Sequence, residues 1–98
     1  MRRSPLTISH NENQSRFECR VDGGLAFTEY IRGAEHITFI HTEVPEEAEG
    51  QGVAAEVIAA ALAYAREQRL RVVPQCPFVK SYLKRHREWD DVVDPAYR

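Results

Sequence analysis

The sequence predicts a small α/β (α+β) domain with a mixed sheet, in which antiparallel N-terminal strands precede a strand-helix-strand-helix unit. Two observations predict this class: apolar and polar residues alternate along segments of the first 44 residues, and apolar residues recur at helical spacing over 52–68. A chain of 98 residues with 43% hydrophobic content can form one core. Because no repeat or linker-like segment divides it, we expect residues 1–98 to form a single domain.

The N-terminal half contains four predicted strands. Segments 6–9 and 16–21 flank a polar turn at 10–15. Strands 25–32 and 35–44 follow, and Gly33-Ala34 between them suits a two-residue type II′ hairpin that would pair Arg32 with Glu35.

Both faces of this hairpin are predicted to carry large apolar groups. In that register, period-two alternation divides the side chains into two sets. One face would carry Leu25, Phe27, Glu29, Ile31, His36, Thr38, Ile40 and Thr42, and the other Tyr30, Ile37, Phe39 and His41. One long helix can cover only one face, so we expect a ligand, a partner chain or a second helix to cover the other.

The C-terminal half begins with the clearest helix of the chain, 52–68. The strand 71–75 follows it, and a strand-helix-strand order predicts a parallel crossover. Pro77 suits the first turn of a second helix over 77–86. The segment 87–98 is irregular, although we expect its apolar residues Trp89, Val92 and Val93 to pack.

Composition limits the classes of function. A formal net charge of −2 does not favour binding to nucleic acid. Cys19 and Cys76 lack the spacing of a zinc site or a disulfide framework, so we expect reduced thiols and no metal. No apolar run approaches the about 20 residues that span a bilayer. We therefore expect a soluble, cytoplasmic protein.

The stretch 49-EGQGVA-54 lies directly before the long helix. Gly50 and Gly52 would let a ligand approach the backbone, and the helix N-terminus offers unpaired N–H groups, which together favour phosphate. Val53-Ala54 in place of Lys-Ser/Thr excludes a Walker A loop, and the acidic connector 45–49 disfavours a Rossmann fingerprint. The alternative is an ordinary helix start whose acidic residues complement the helix dipole.

The order of these segments resembles the acetyl-CoA-binding half of GCN5-related N-acetyltransferases. The resemblance rests on the strand ending in 41-HTEV-44, the loop 49-EGQGVA-54, the helix, the strand 71-RVVPQC-76 and the helix 77-PFVKSYLKRH-86. More narrowly, the chain resembles the small single-domain group with Cys-Pro after the post-helix strand. The resemblance implies that acetyl-CoA is the cofactor and that an amine, whose identity it leaves open, is the acceptor.

The resemblance also implies the cofactor-binding residues. Its loop pattern, Gln/Arg-x-x-Gly-x-Gly/Ala, places Gly52 and Ala54 at the last two marked positions, whereas Glu49 replaces Gln or Arg. Main-chain groups at the strand end, here Glu43 and Val44, would hold the pantetheine arm and the thioester carbonyl. The full predicted cofactor set is Glu43, Val44, Glu49, Gly50, Gln51, Gly52, Val53 and Ala54.

Four residues are candidates for catalysis. Tyr82 matches a family tyrosine that protonates the departing sulfur, although a core tyrosine is the alternative. Cys76 precedes Pro77 and would cap the second helix, whose dipole favours thiolate, so it either accepts the acetyl group or only lines the site. His41 or Glu43 would accept the amine proton.

Other polar residues are assigned weaker roles. Glu29 is a weaker candidate base and lies on the opposite face from His41 in the predicted register. His10, His36 and His86 are expected at the surface. A basic cluster on and after the second helix either offsets cofactor phosphates or forms a solvated face: Lys80, Lys84, Arg85 and Arg87.

The sequence thus predicts an acetyl-CoA-dependent N-acetyltransferase that is a monomer or a weak homodimer. A CoA or acyl-CoA sensor without turnover is the main alternative, because so short a chain has little wall for an acceptor pocket. An interaction domain without a ligand would leave the glycine pair unexplained.

Overall fold

Five strands form one mixed sheet whose spatial order follows the chain. The computed structural model describes residues 5–98, so residues 1–4 of the predicted domain lie outside the described part. The strands are β1 (Ile8–Asn11), β2 (Arg16–Val21), β3 (Gly24–Arg32), β4 (His36–Glu43) and β5 (Arg71–Pro74). β1 to β4 pair antiparallel and β5 pairs parallel with β4. The predicted fold class is confirmed.

Two α-helices complete the strand-helix-strand-helix unit. α1 spans Val53–Glu67 and joins β4 to β5, and α2 spans Pro77–Arg85 with proline in its first turn. No helix within residues 5–98 has the length and apolarity needed to cross a membrane.

The β3–β4 hairpin differs from the predicted one. Arg32 pairs with Ile37 and not with Glu35, and the Gly33 N–H donates to the His36 carbonyl over 2.8 Å. Gly33 is not among the residues with positive φ, which a type II′ turn requires at its first central position. Four residues, 33–36, therefore separate Arg32 from its partner, two more than predicted, and the register shifts by two residues.

A β-bulge changes the register a second time. Tyr30 pairs with Phe39 while Glu29 pairs with His41, so Ile40 is the extra residue of β4. Residues of β4 beyond the bulge change faces relative to the prediction, because side chains alternate along a strand. Glu29 and His41 lie on the same face, and the prediction of opposite faces is wrong.

The long helix packs on the face of the sheet that carries most of the core. Six residues of α1 are buried at helical spacing, as the periodicity over 52–68 predicts: Val53, Val57, Ile58, Ala61, Leu62 and Ala65. The sheet contributes the buried side chains Phe17, Cys19, Ala26, Thr28, Tyr30, Ile37, Phe39 and Thr42. On the opposite face, Ile31 is 61% exposed and Ile40 is 40% exposed. No described element covers these two side chains.

The C-terminal segment continues the sheet beyond β5. Val93 forms a parallel bridge with Val72, and the Asp94 N–H donates to the Val72 carbonyl over 2.9 Å. Val92 and Val93 are buried and Trp89 packs against the core, as predicted. The His36 side chain is 45% exposed, as predicted, and its Nε2 lies 2.8 Å from the Asp94 carboxylate, a partner that the sequence did not indicate.

His10 is also more buried than predicted. Its ring stacks on Phe17 with centroids 4.0 Å apart and meets the edge of Tyr64 at 4.5 Å. Its Nε2 hydrogen bonds with the Tyr30 hydroxyl. Burial lowers the pKa of His10 below its ordinary value of 6.5, with a smaller contribution from Arg32, and Glu12 opposes the shift.

This lowered pKa predicts a pH dependence of stability. Above the unfolded-state pKa, His10 is neutral in both states and its full contribution to stability is present. As the pH falls through the folded-state pKa, the unfolded chain has already bound the proton and that contribution is lost. Urea unfolding from about pH 8 to about pH 5 should show a steeper loss of unfolding free energy in the wild type than in His10→Phe.

His41→Gln is the matched control, because it removes a histidine whose side chain is more than half exposed. An equal slope in the wild type and His10→Phe would contradict the burial of a neutral His10.

Candidate functional site

The loop between β4 and α1 begins with a short 3₁₀ turn and ends with two glycines in the left-handed region. Pro45 begins a short 3₁₀ turn in which the Ala48 N–H donates to the Pro45 carbonyl over 2.9 Å, and Ala48 is buried. Gly50 and Gly52 then adopt positive φ angles of 79° and 76°. These angles favour glycine, so the predicted loop needs both glycines for its shape.

The first amides of α1 have no capping side chain as acceptor. Gly52 is the N-cap and has no side chain that could accept from them, and the first helical bond runs from Glu56 N–H to the Gly52 carbonyl over 3.2 Å. Within residues 5–98, the N–H groups of Gly50, Val53 and Ala54 have no protein acceptor. A Cβ built on Gly50 would meet no atom within 4 Å. These amides can therefore receive an anion.

Three carboxylates flank this loop. Glu46, Glu47 and Glu49 all lie at the surface. The Glu47 carboxylate packs against Gly23 in the β2–β3 turn, 2.6 Å from the position of an added Cβ. Glu49 has an extended backbone and its own N–H donates to the Glu46 carbonyl, so this amide is less available than the predicted cofactor set implies.

The strand before the loop has an open edge. β5 pairs with β4 only as far as Phe39 and Pro74, and the Phe39 carbonyl then accepts from both Gln75 and Cys76 N–H groups at 3.1 and 2.8 Å. β4 runs on for four residues, and no strand within residues 5–98 pairs with it on that side. An extended ligand can therefore lie along this edge.

The direction of the main chain identifies the groups on that edge. The Tyr30 N–H donates to the Ser15 carbonyl, towards β2, so Glu29 and Phe27 direct their main-chain groups to β4. Their partners His41 and Glu43 are thereby engaged in the ladder. Because main-chain groups alternate in direction along a strand, those of Thr42 and Val44 point to the open edge. The prediction for Val44 is compatible with this direction, whereas Glu43 directs its main chain to β3.

Cys76 caps α2 as predicted, but its side chain makes no capping hydrogen bond. The thiol is buried, with 1% exposure, and donates to Thr42 Oγ1 over 3.2 Å. Thr42 Oγ1 in turn shares a hydrogen bond of 2.9 Å with Thr28 Oγ1. The sequence contains no signal for this buried chain of hydroxyls, since it depends on the bulge that turns Thr42 inwards.

Tyr82 presents its ring to the protein and its hydroxyl to solvent. The ring is buried and stacks on His86 with centroids 4.1 Å apart. Every buried side-chain nitrogen or oxygen atom within residues 5–98 has a hydrogen-bond partner. The Tyr82 hydroxyl has no such partner within these residues. The hydroxyl must therefore reach the surface, where it can donate a proton.

His41 and Glu43 lie together on the open face of the sheet. His41 Nε2 is 3.6 Å from Glu43 Oε1, and both side chains are more than half exposed. The bulge brings Glu29 opposite His41, so this face has a third acidic or basic group. Phe27 borders it, with its ring 5.9 Å from that of His41. Proton acceptors are thus available beside the end of β4.

The burial of both thiols predicts slow chemistry with a thiol reagent. Cys19 and Cys76 are free and buried, so neither should react with Ellman's reagent in the native state at the rate seen after unfolding in guanidinium.

Cys19→Ala leaves Cys76 as the sole thiol and isolates its rate. Rapid, stoichiometric reaction of this variant in its folded state would show that Cys76 is accessible and would favour its role as the acetyl acceptor.

The comparisons with known proteins agree with this geometry. A family model described as GCN5-related N-acetyl-transferase matches residues 16–92. Protein NATD1 of Mus musculus is 29% identical over 84 residues, covering 82% of this chain and 76% of that protein, and Protein NATD1 of Homo sapiens is equally similar, with 74% of it covered. The NMR solution structure of a GCN5-like protein from Staphylococcus aureus superposes with a TM-score of 0.71 at 30% identity, covering 94% of this chain and 91% of that one. The chain therefore belongs to the GCN5-related N-acetyltransferase family.

Proposed function

We propose that this protein transfers an acetyl group from acetyl-CoA to an amine acceptor. The observation that supports this most directly is the set of unpaired amides at Gly50, Val53 and Ala54, which adjoins the open edge of β4. Backbone amides at a helix N-terminus suit the diphosphate of CoA. The open edge suits its extended pantetheine arm, which would meet the main chain of Thr42 and Val44.

Bound acetyl-CoA would supply a thioester as the acyl donor. The acceptor must lose a proton to become nucleophilic, and His41 or Glu43 can take that proton because both are exposed at the end of β4. The departing sulfur needs a proton, which the surface-reaching Tyr82 hydroxyl can supply. Direct transfer from thioester to amine requires no further group.

Cys76 fits better as a residue that lines and positions the site than as an acetyl acceptor. Its thiol is buried and committed to Thr42, so attack on a thioester would require this hydrogen bond to break and the surroundings to open. Its contact with Thr42 instead holds the start of α2 against the strand that would carry the pantetheine arm.

A CoA or acyl-CoA sensor without turnover is the second candidate function. The exposed His41, Glu43 and Ile40 support it, because no described wall encloses an acceptor beside them. A protein acceptor, which brings its own surface, would need less of a wall than a small amine.

Both functions fit a cytoplasmic protein with reduced thiols, and the exposed Ile31, Ile40 and Phe78 fit a monomer or weak homodimer.

Binding of acetyl-CoA should raise the melting temperature of the wild type. Ligand at about 100 times its Kd adds about 2.7 kcal/mol to the unfolding free energy. Gly50→Ala should bind acetyl-CoA more weakly, because a side chain at its positive φ costs about 1–2 kcal/mol and favours a different loop shape. Calorimetric titration and thermal unfolding measure both effects.

Gly33→Ala is the matched control, since Gly33 has no positive φ and an added Cβ meets only the His36 carbonyl at 3.6 Å. Absence of binding by the wild type to both CoA and acetyl-CoA would overturn the proposed function.

Tyr82→Phe should lower kcat by about 10²–10⁴-fold with little change in acetyl-CoA affinity, as expected for a lost general acid. Cys76→Ala should retain turnover. Release of CoA thiol with a panel of polyamines, lysine peptides and amino acids measures both, and Tyr64→Phe controls for loss of a tyrosine hydroxyl elsewhere.

Equal losses of kcat and affinity in Tyr82→Phe would assign Tyr82 a packing role. Binding of acetyl-CoA without turnover for any class of amine would favour the sensor.

A further inference from the structure

A groove of about 450 Å³ lies between α2 and the C-terminal segment. Its apolar lining consists of Pro74, Leu83, Val93 and Ala96, and the Tyr97 side chain, which is 51% exposed, adds an aromatic ring. Four basic side chains border it: Lys80, Lys84, Arg87 and Arg98. This size is within the range of small-molecule sites, and the lining combines apolar and aromatic side chains with positive charge.

The charge of the groove is opposite to that of the whole chain. The formal net charge is −2, yet the groove has four basic side chains and a single acidic one, Asp90, which is already 3.0 Å from Arg87 Nε. Lys80 and Lys84 are one helical turn apart, and neither forms an ion pair within residues 5–98. Like charges at this spacing repel each other, so a bound anion would relieve an unfavourable contact.

The C-terminal wall of the groove is fixed by hydrogen bonds. The Asp94 carboxylate accepts from the Ala96 N–H over 2.9 Å and also engages His36. The Tyr97 N–H donates to the Asp94 carbonyl over 2.8 Å, and Arg98 Nε donates to the Val93 carbonyl over 3.0 Å. Binding would therefore not have to order this wall, which favours affinity.

The groove lies on a different flank of α2 from the candidate catalytic tyrosine. At about 100° per residue, Lys80 and Lys84 point roughly 160° away from Tyr82, and the buried Val79 and Leu83 lie between the two flanks. The groove would therefore be a separate site from that of a cofactor bound at Tyr82 and at residues 49–54, the glycine loop.

We propose that this groove binds a phosphate ester that carries a flat apolar group, the chemical class of a mononucleotide. The phosphate would lie against Lys80 and Lys84, and the flat group would lie over Tyr97 and the apolar floor. This inference is independent of the acetyltransferase proposal, because it uses no residue of the glycine loop or of β4.

The test uses the full ¹⁵N-labelled chain titrated with AMP and, separately, with inorganic phosphate. Saturable shifts should appear at the amides of 80–84 and 94–98 and should persist after saturation with CoA. The double variant Lys80→Gln/Lys84→Gln should bind AMP roughly 2- to 30-fold more weakly, because two exposed ionic contacts are lost. Tyr97→Ala should weaken AMP binding and leave phosphate binding unchanged.

Arg20→Gln/Arg85→Gln is the matched control, since it removes the same charge from exposed positions outside the groove. AMP shifts confined to 50–55, competition between AMP and CoA, or equal AMP affinities of the two double variants would each overturn the proposal. A lack of AMP binding at millimolar concentration would do the same. Because the shifts are assigned to residues, failure here leaves CoA binding at the glycine loop as a separate result.

Discussion

The end of parallel pairing at Phe39 and Pro74 is the constraint on which the candidate site depends. At this point the Phe39 carbonyl accepts two amides, from Gln75 and Cys76, and the chain leaves the sheet to begin α2. β4 continues without a neighbour on that side and leads into the glycine loop. The chain thereby places an open strand edge directly before a helix N-terminus. A ligand with an extended arm attached to a diphosphate can use both, the arm along the strand and the diphosphate at the helix.

The bulge at Ile40 determines which side chains of β4 lie in the core and which lie on the exposed face beside the open edge. It turns Thr42 inwards, where Thr28 and Cys76 satisfy its hydroxyl, and it turns His41 and Glu43 outwards. Without the extra residue, alternation would place His41 in the core and Thr42 in solvent. One inserted residue thus separates a buried hydrogen-bonded chain from the exposed groups that can exchange protons with solvent or an acceptor.

The sequence was sufficient to predict the family and the elements, apart from β1, which lies two residues later than the predicted segment 6–9. Helical periodicity in α1, the Cys-Pro start of α2 and the glycine spacing are local signals. The sequence was not sufficient for the hairpin register. Gly33-Ala34 suits a two-residue turn by composition, but the φ angle of Gly33 and the bulge at Ile40 follow from packing across the sheet. The face of Glu29 and the burial of His10 were therefore predicted wrongly, and the Asp94 partner of His36 was missed. Their neighbours are distant in sequence, and local patterns do not encode such pairs.

The bridge between Val72 and Val93 also bears on solubility. The outer edge of β5 would otherwise present unpaired main-chain groups to another molecule, and exposed edges promote strand addition and aggregation. Residues 92–94 occupy that edge with two hydrogen bonds, while β1, at the opposite border of the sheet, has only four residues. The irregular C-terminal segment therefore prevents another molecule from adding a strand at this edge. This protection matters because a small core provides little stability against partial unfolding.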